Sequence, residues 1–420
     1  MMSERRKKID VLMLSRAYPP QAGGVATHVS YLVEALSTLT KTKVDATRVC
    51  RVEVVTATEP GLRASAEGAH PVGRTRPFRV VHRMPGEKSH FAPGGEVPFE
   101  RPIKYIFDNW HKIRPDLIHA HDFESVQIGL MLKIAFGKPF VFTIHRTPKE
   151  PDPNLPRRDT KACFLHLMQR SGLVDMVVAP SDAYRQHVLE EDFESEKVTR
   201  IYHGVPVRKL AAMPNRTAVL ERFHLDSRDE VILCPIRLDP HKAPDVLISA
   251  AAIVMQKIPN RRLVFMIAGS GSGSYLSSLH RQAHDMGVAD FVRLGPSDGK
   301  DTLPEEMPTL YRRAKVCVLP SRREGFGQVL LEAAVFKRPI IGANTGGIPE
   351  IIKSYENGLL FNRDEPEDLA AQLCQLLENE TLADMLAARA AEQVKHRFDS
   401  DVMAREYLKL YQKVTQINLK

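Results

Sequence analysis

The chain has 420 residues, 43% of them apolar, and a formal net charge of +8. That length points to two domains of about 200 residues each, and no apolar run approaches the ~20 residues of a membrane span. Residues 1–210 hold 32 Lys and Arg against 24 Asp and Glu and so carry the whole excess, whereas residues 211–420 hold 27 of each. Such an excess suits a solvated face, an anionic acceptor or an anionic membrane surface; no nucleic-acid-binding motif accompanies it. Cys50, Cys163, Cys234, Cys317 and Cys374 are scattered without a CxxC pair. They predict buried thiols in a reducing cytoplasm rather than disulfides or zinc ligands.

In chain order, residues 9–14 read as a buried strand, too short for a secretory signal. Pro19-Pro20 and Gly23-Gly24 then interrupt regular structure before a helix through residues 31–39. Residues 52–56 predict the next strand, 58–79 a surface loop rich in Gly, Ala, Arg and Pro, 79–84 a strand and 98–112 a helix holding Trp110. Residues 116–120 predict a strand, with Asp122 capping the helix that follows. His119 and His121 flank Ala120, and period-two spacing aims both at one face, which suits a metal; no third ligand is evident. Residues 139–144 predict a strand ending in Thr143-Ile144-His145, at the carboxyl end where open α/β sheets bind ligands. A long proline-bearing loop containing Arg157 and Arg158 follows, the kind of loop that serves as a lid or an acceptor contact. Residues 174–179 predict a strand with Ser181 capping the next helix, and 198–203 the last strand of this half.

The second half repeats the alternation. A short helix precedes a strand at 230–236, which leads through Arg237-Leu238-Asp239-Pro240-His241-Lys242 into a helix at 244–257. Residues 262–268 predict a strand ending in Gly269-Ser270-Gly271; 291–295 predict another, including Leu294. After a helical turn at 309–313, residues 316–319 form a buried-strand pattern and SRREGFGQVLLE follows. A strand that ends in a Gly-containing turn and opens a helix presents unpaired N–H groups suited to phosphate. Glu324 and Glu332 bracket that turn. Carboxylates repel phosphate, so both read as grips on hydroxyls, a sugar on one side of a diphosphate and a ribose on the other. Residues 339–342, a Thr345-Gly346-Gly347 turn and helices at 367–377, 381–397 and 401–414 complete the chain. Alternating strands and helices predict two doubly wound parallel sheets.

The paired glutamates around Glu324-Gly325-Phe326-Gly327, with Val329 in the helix behind them, resemble the signature of retaining nucleotide-sugar glycosyltransferases of the GT-B fold, and most closely glycosyltransferase family 4. The Arg237-Leu238-Asp239-x-x-Lys242 pattern resembles that family's diphosphate clamp, Gly23-Gly24 its glycine loop, Gly269-Ser270-Gly271 its loop near the nucleotide, Thr143-Ile144-His145 its Thr-x-His step, and Thr345-Gly346-Gly347-Ile348-Pro349-Glu350 a further glycine turn. Where the family has Asn-Gly-Val-Asp, this chain has His203-Gly204-Val205-Pro206, which puts the donor contacts of that loop in doubt.

The resemblance implies two Rossmann-like domains facing a cleft: an acceptor domain at 1–208, a donor domain at 209–400, and a C-terminal helix at 401–420 crossing back to the first. It implies transfer of a hexose from a UDP-, GDP- or ADP-linked donor with retention. Arg237 and Lys242 would hold the diphosphate, Glu324 the sugar, Glu332 the ribose and Leu294 the edge of the base, while His121 would lie near the transferred sugar. His145, Arg157 and Arg158 would serve the acceptor. No cofactor or metal ion is expected, because two cations and helix N-termini can neutralise the leaving group. A cytoplasmic protein, peripheral at most to a membrane, follows from this reading. A nucleotide-sugar 2-epimerase and a noncatalytic nucleotide-sugar-binding protein are the alternatives on the same scaffold.

Overall fold

The computed structural model describes residues 8–19, 23–41, 48–58, 65–68, 79–85, 100–145, 168–269, 271, 273–299 and 302–417. The chain divides into two compact units, Met1–Gly204 with Ser400–Lys420, and Val205–Asp399.

The first unit is built on β1 (Lys8–Ser15), β2 (Arg48–Thr58), β3 (Ser65–Gly68), β4 (Arg79–Pro85), β5 (Leu117–Ala120), β6 (Phe140–Thr143), β7 (Met176–Ala179) and β8 (Val198–Arg200). Their order is β3-β4-β2-β1-β5-β6-β7-β8. The pairings are parallel except at the edge, where β3 runs antiparallel to β4. Residues 58–79, read from sequence as a loop, therefore contain a strand. Ser65–Gly68 (SAEG) has no alternation of apolar residues to announce it.

Helices α1 (Gly24–Lys41), α2 (Glu100–Ile113), α3 (Phe123–Phe136) and α4 (Asp182–Leu189) and the C-terminal helix Ser400–Ile417 belong to this unit. The pleat of β1 sorts its side chains into two cores. Ile9, Val11 and Met13 pack with Val29, Leu32, Tyr407 and Tyr411, whereas Leu12 and Leu14 pack with Ile106 and Val126. Burial on both faces explains why the central strands read as unbroken apolar runs. Asp122 caps α3 by accepting from the Ser125 N–H at 2.7 Å, and Ser181 caps α4 by accepting from the Tyr184 N–H at 3.1 Å.

The second unit holds β9 (Glu230–Cys234), β10 (Leu263–Ile267), β11 (Val292–Leu294), β12 (Ala314–Leu319), β13 (Ile340–Ala343) and β14 (Leu359–Phe361). They form an all-parallel sheet in the order β11-β10-β9-β12-β13-β14. Its helices are α5 (Val207–Ala212), α6 (Ala218–Arg222), α7 (Pro244–Lys257), α8 (Gly273–Asp285), α9 (Met307–Arg313), α10 (Gln328–Val335), α11 (Ile348–Ile351), α12 (Pro366–Glu378) and α13 (Glu380–Arg397). In each sheet the chain reverses its direction of winding beside the first strand, between β1 and β5 and between β9 and β12. Ligands of open α/β sheets bind at the carboxyl ends of strands at such a reversal. Among the described residues, no helix is long and apolar enough to cross a membrane, and Cys234, Cys317 and Cys374 are buried free thiols.

Candidate functional site

In the second unit, the loops after β9, β12 and β13 meet. Asp239 caps the single turn Pro240–Lys242 by accepting from the His241 N–H at 2.9 Å. The Lys242 ammonium then reaches Glu324, Nζ to Oε2 2.8 Å, and the Ser321 hydroxyl donates to the same oxygen at 3.1 Å. Arg322 ties the two loops together. Its N–H donates to the His241 carbonyl at 2.9 Å, and its guanidinium grips both Asp245 oxygens, at 2.9 and 2.5 Å, and pairs with Asp364 at 2.6 Å. These anchors belong to the scaffold and fix the backbone from which Lys242 and Glu324 project. Arg237 is exposed; its carbonyl accepts from the Asp239 N–H at 2.9 Å, while its guanidinium makes no hydrogen bond or ion pair among the described residues.

Two glycines allow this convergence. A Cβ on Gly269 would lie 2.0 Å from the Ile236 carbonyl oxygen, and one on Gly346 would lie 1.9 Å from that of Glu324. Gly346 also has φ +51°, a region that favours glycine. The Gly347 N–H donates to the Glu324 carbonyl at 3.1 Å, so the β13 loop supports the peptide that carries Glu324. Gly271 lies against Leu238, and Leu294, at the end of β11, is partly buried.

Gly325 and Gly327 frame the entry to α10, of which Gly327 is the N-cap. The Phe326 ring is buried and packs edge-on against Phe398 at 5.5 Å, so only the backbone of this residue is left to serve a ligand. Val329 is partly buried in the first turn. Gln328 was not singled out in the sequence. Both polar atoms of its side chain are buried without a hydrogen-bond partner, the condition of a group awaiting a ligand or water. Glu332 is buried and accepts from the Tyr311 hydroxyl at 2.8 Å. These groups supply an exposed guanidinium, an ammonium–carboxylate pair and the unpaired N–H groups of a helix entry, which suits a diphosphate flanked by hydroxyls.

The first unit gathers five histidines at the carboxyl end of its sheet. His119 is fully engaged: Nδ1 meets the Tyr411 hydroxyl at 2.8 Å and Nε2 the Thr143 hydroxyl at 2.8 Å, with Tyr407 2.9 Å beyond. It therefore cannot join His121 as a metal ligand, despite their shared face. Burial, with His145 nearby, pushes its pKa down to about 3. His121 is fully buried, and neither ring nitrogen has a hydrogen-bond partner. His28, on α1, is in the same condition. Ring centroids separate His28 from His203 by 4.1 Å, from His145 by 5.0 Å and from His121 by 5.5 Å. Burial, and then the neighbouring imidazoles, hold His28, His121 and His203 well below the usual histidine pKa.

Asp122 also receives the Arg16 N–H at 2.6 Å, tying the loop after β1 to the start of α3. Gly23 and Gly24 stand at the entry to α1, with open space where a Cβ would be. Arg157 and Arg158 lie outside the described residues. Sequence reasoning passed over His28, although GGVATHV sets it five residues after Gly23, and treated His203 only as a departure from a pattern.

Residues 22–209 match the family described as Glycosyltransferase Family 4, and residues 215–393 match Glycosyl transferases group 1. The chain is 31% identical to a D-inositol 3-phosphate glycosyltransferase of Thermobispora bispora over 80% of this chain and 78% of that one. It is 29% identical to that of Saccharomonospora viridis over 88% and 85%. Among solved structures, the Anabaena protein Alr3699/HepE in complex with UDP and glucose superposes with a TM-score of 0.73, at 18% identity over 96% of this chain and all of that one. Sucrose-phosphate synthase from Thermosynechococcus elongatus superposes with a TM-score of 0.75, at 20% identity over 98% of this chain and all of that one. Both share the fold.

Proposed function

Since this chain belongs to glycosyltransferase family 4, we propose that it transfers a hexose from a nucleoside-diphosphate sugar to an acceptor hydroxyl with retention of configuration. The observation that carries the reading is the Lys242–Glu324 pair, fixed at the reversal of the second sheet. The anomeric C–O bond to the diphosphate breaks and a C–O bond to the acceptor forms on the same face. The acceptor proton passes to the departing phosphate. Arg237 and Lys242 neutralise the charge that builds on that phosphate, aided by the N–H groups that open α10. Glu324, released from Lys242 when the diphosphate binds, holds the sugar hydroxyls. Glu332 holds the ribose and Leu294 borders the base. Two cations and a helix entry supply in this step the neutralisation that a metal ion would otherwise give.

Solved neighbours carry UDP, UDP-glucose and ADP, which supports a donor of that class. The relatives are named for a phosphorylated polyol, which agrees with the basic first half in supporting an anionic acceptor. On that side His121 attends the transferred sugar, and His145, Arg157 and Arg158 the acceptor. The protein works in the cytoplasm, at most peripherally on a membrane.

The test is incubation with UDP-, GDP- and ADP-hexoses, with and without inositol phosphates and other sugar phosphates. Nucleoside diphosphate release and the anomeric configuration of the product are read together. Acceptor-dependent release with a retained anomer is expected. Epimerised donor without transfer, tight binding without turnover, or an inverted product would each overturn the proposal.

A further inference from the structure

We infer that His28, His145 and His203 form a binding site for one divalent transition-metal ion of the zinc class. One ligand nitrogen from each ring lies within 4.8 Å of the others. The three come from separate elements, His28 from α1, His145 from the segment after β6 and His203 from the segment after β8. The inference goes beyond the transferase reading and does not depend on it.

Two observations carry it. The first is convergence: Zn–N bonds of about 2.0–2.1 Å set tetrahedral ligand nitrogens about 3.4 Å apart, so modest ring rotations would close these three onto an ion. The second is His28 itself. It is completely buried, and both of its ring nitrogens lack a hydrogen-bond partner. A buried imidazole keeps its lone pair unused only at a cost, and a metal ion would use it.

The donor set also selects the ion. Three imidazoles without a carboxylate favour zinc, cobalt, nickel or copper over magnesium and calcium, which take oxygen ligands. His145 is only partly buried, so the site has an approach, and three protein ligands leave a fourth position for water or another oxygen. His119 stays outside the set, because its two nitrogens are held by Tyr411 and Thr143. His121 stands beside the set, 5.5 Å from the His28 ring and 5.9 Å from that of His145.

The test uses tag-free, metal-stripped full-length protein titrated with Co2+. One equivalent should give the intense visible absorption of a tetrahedral site, which Zn2+ erases and Mg2+ does not. His28→Gln and His203→Gln should each weaken Co2+ binding by more than about tenfold. The melting temperature without metal shows that each variant has folded. Absence of the tetrahedral band in the wild-type protein overturns the inference whatever becomes of the variants. A band retained with unchanged affinity in both variants overturns it too, because the ion then sits on other ligands.

Discussion

Lys242 and Glu324, 82 residues apart in sequence, meet at 2.8 Å across the reversal point of the second sheet. On the proposed reading, the cation that serves the phosphate and the carboxylate that serves the sugar neutralise each other until a donor arrives. Lys242→Ala and Arg237→Ala should each lower turnover by more than about tenfold without unfolding the protein, because the proposed function has both stabilise leaving-group charge. Glu324→Gln should also act mainly on kcat. Combining Lys242→Ala with Glu324→Gln should cost less than the product of the single effects, with a coupling of about 0.5–3 kcal/mol. Strictly multiplicative kinetics would show that the two residues act apart.

Glu332 should fail differently. A ribose contact is made equally in ground and transition states, so Glu332→Ala should raise the Kd for nucleoside diphosphate more than it lowers kcat. It would also take away the carboxylate to which the buried Tyr311 hydroxyl donates, at about 1–3 kcal/mol of stability. Calorimetry with the nucleotide alone reads the first effect and urea unfolding the second. Unchanged nucleotide affinity would remove the ribose role.

Gly346→Ala places a methyl against the Glu324 carbonyl, at a backbone angle already hostile to a side chain. The β13 loop must move away, and the peptide bearing Glu324 loses its prop from the Gly347 N–H. We expect turnover to fall by more than about tenfold, with the melting temperature lowered but folding retained. Wild-type turnover would mean that this support is dispensable.

His119 sets an acid limit on stability. Its pKa is near its ordinary value of 6.5 when unfolded and about 3 when folded. Below pH 6.5 the unfolded chain therefore binds the extra proton, and stability declines as pH falls toward 3, by up to roughly 4 kcal/mol from this group. Above pH 6.5 it contributes no slope. The groups around it, Tyr411, Thr143, Tyr407, His121 and His145, carry no carboxylate to oppose the trend. Urea unfolding of wild type and His119→Gln at pH 7 and pH 5 should show a smaller loss in the variant. An equal loss would place the acid sensitivity elsewhere.

The basic first half should act through the acceptor. Exposed Lys and Arg are screened over a Debye length of ~8 Å at physiological salt. Acceptor KM should therefore rise with ionic strength while donor KM changes less. Arg157→Glu with Arg158→Glu should raise acceptor KM further. A flat salt response, or a neutral sugar as the best acceptor, would leave the charge a matter of solubility.

Most of the framework was legible in sequence because its strands are buried on both faces. Residues 263–267 and 316–319 declare themselves as apolar runs, and Asp122 and Ser181 mark helix starts by their chemistry. The edge strand Ser65–Gly68, the short β14 and the short α5 were not legible, because backbone pairing and tertiary packing form them rather than pattern. The loops that bring Lys242 to Glu324 were legible, since both residues lie in local motifs with fixed spacing. The histidine cluster was not. His28, His145 and His203 are brought together only by the winding of β1, β6 and β8, and the adjacent pair that looked suited to metal includes one ring already committed to Thr143 and Tyr411.

The C-terminal helix completes the first unit, with Tyr407 and Tyr411 closing a hydrogen-bond chain to Thr143 and His119. On the ribosome these partners emerge only after the intervening 195 residues, Val205–Asp399, have been made. At about 5–20 residues per second that is roughly 10–40 s of waiting. The middle of the chain, contiguous and self-contained, can fold in that interval, while the core that β1 shares with α1 still lacks the side chains of the C-terminal helix. Holding factors during translation should therefore engage the first two hundred residues, and a premature stop before Ser400 should yield a sound second unit attached to an aggregation-prone first one.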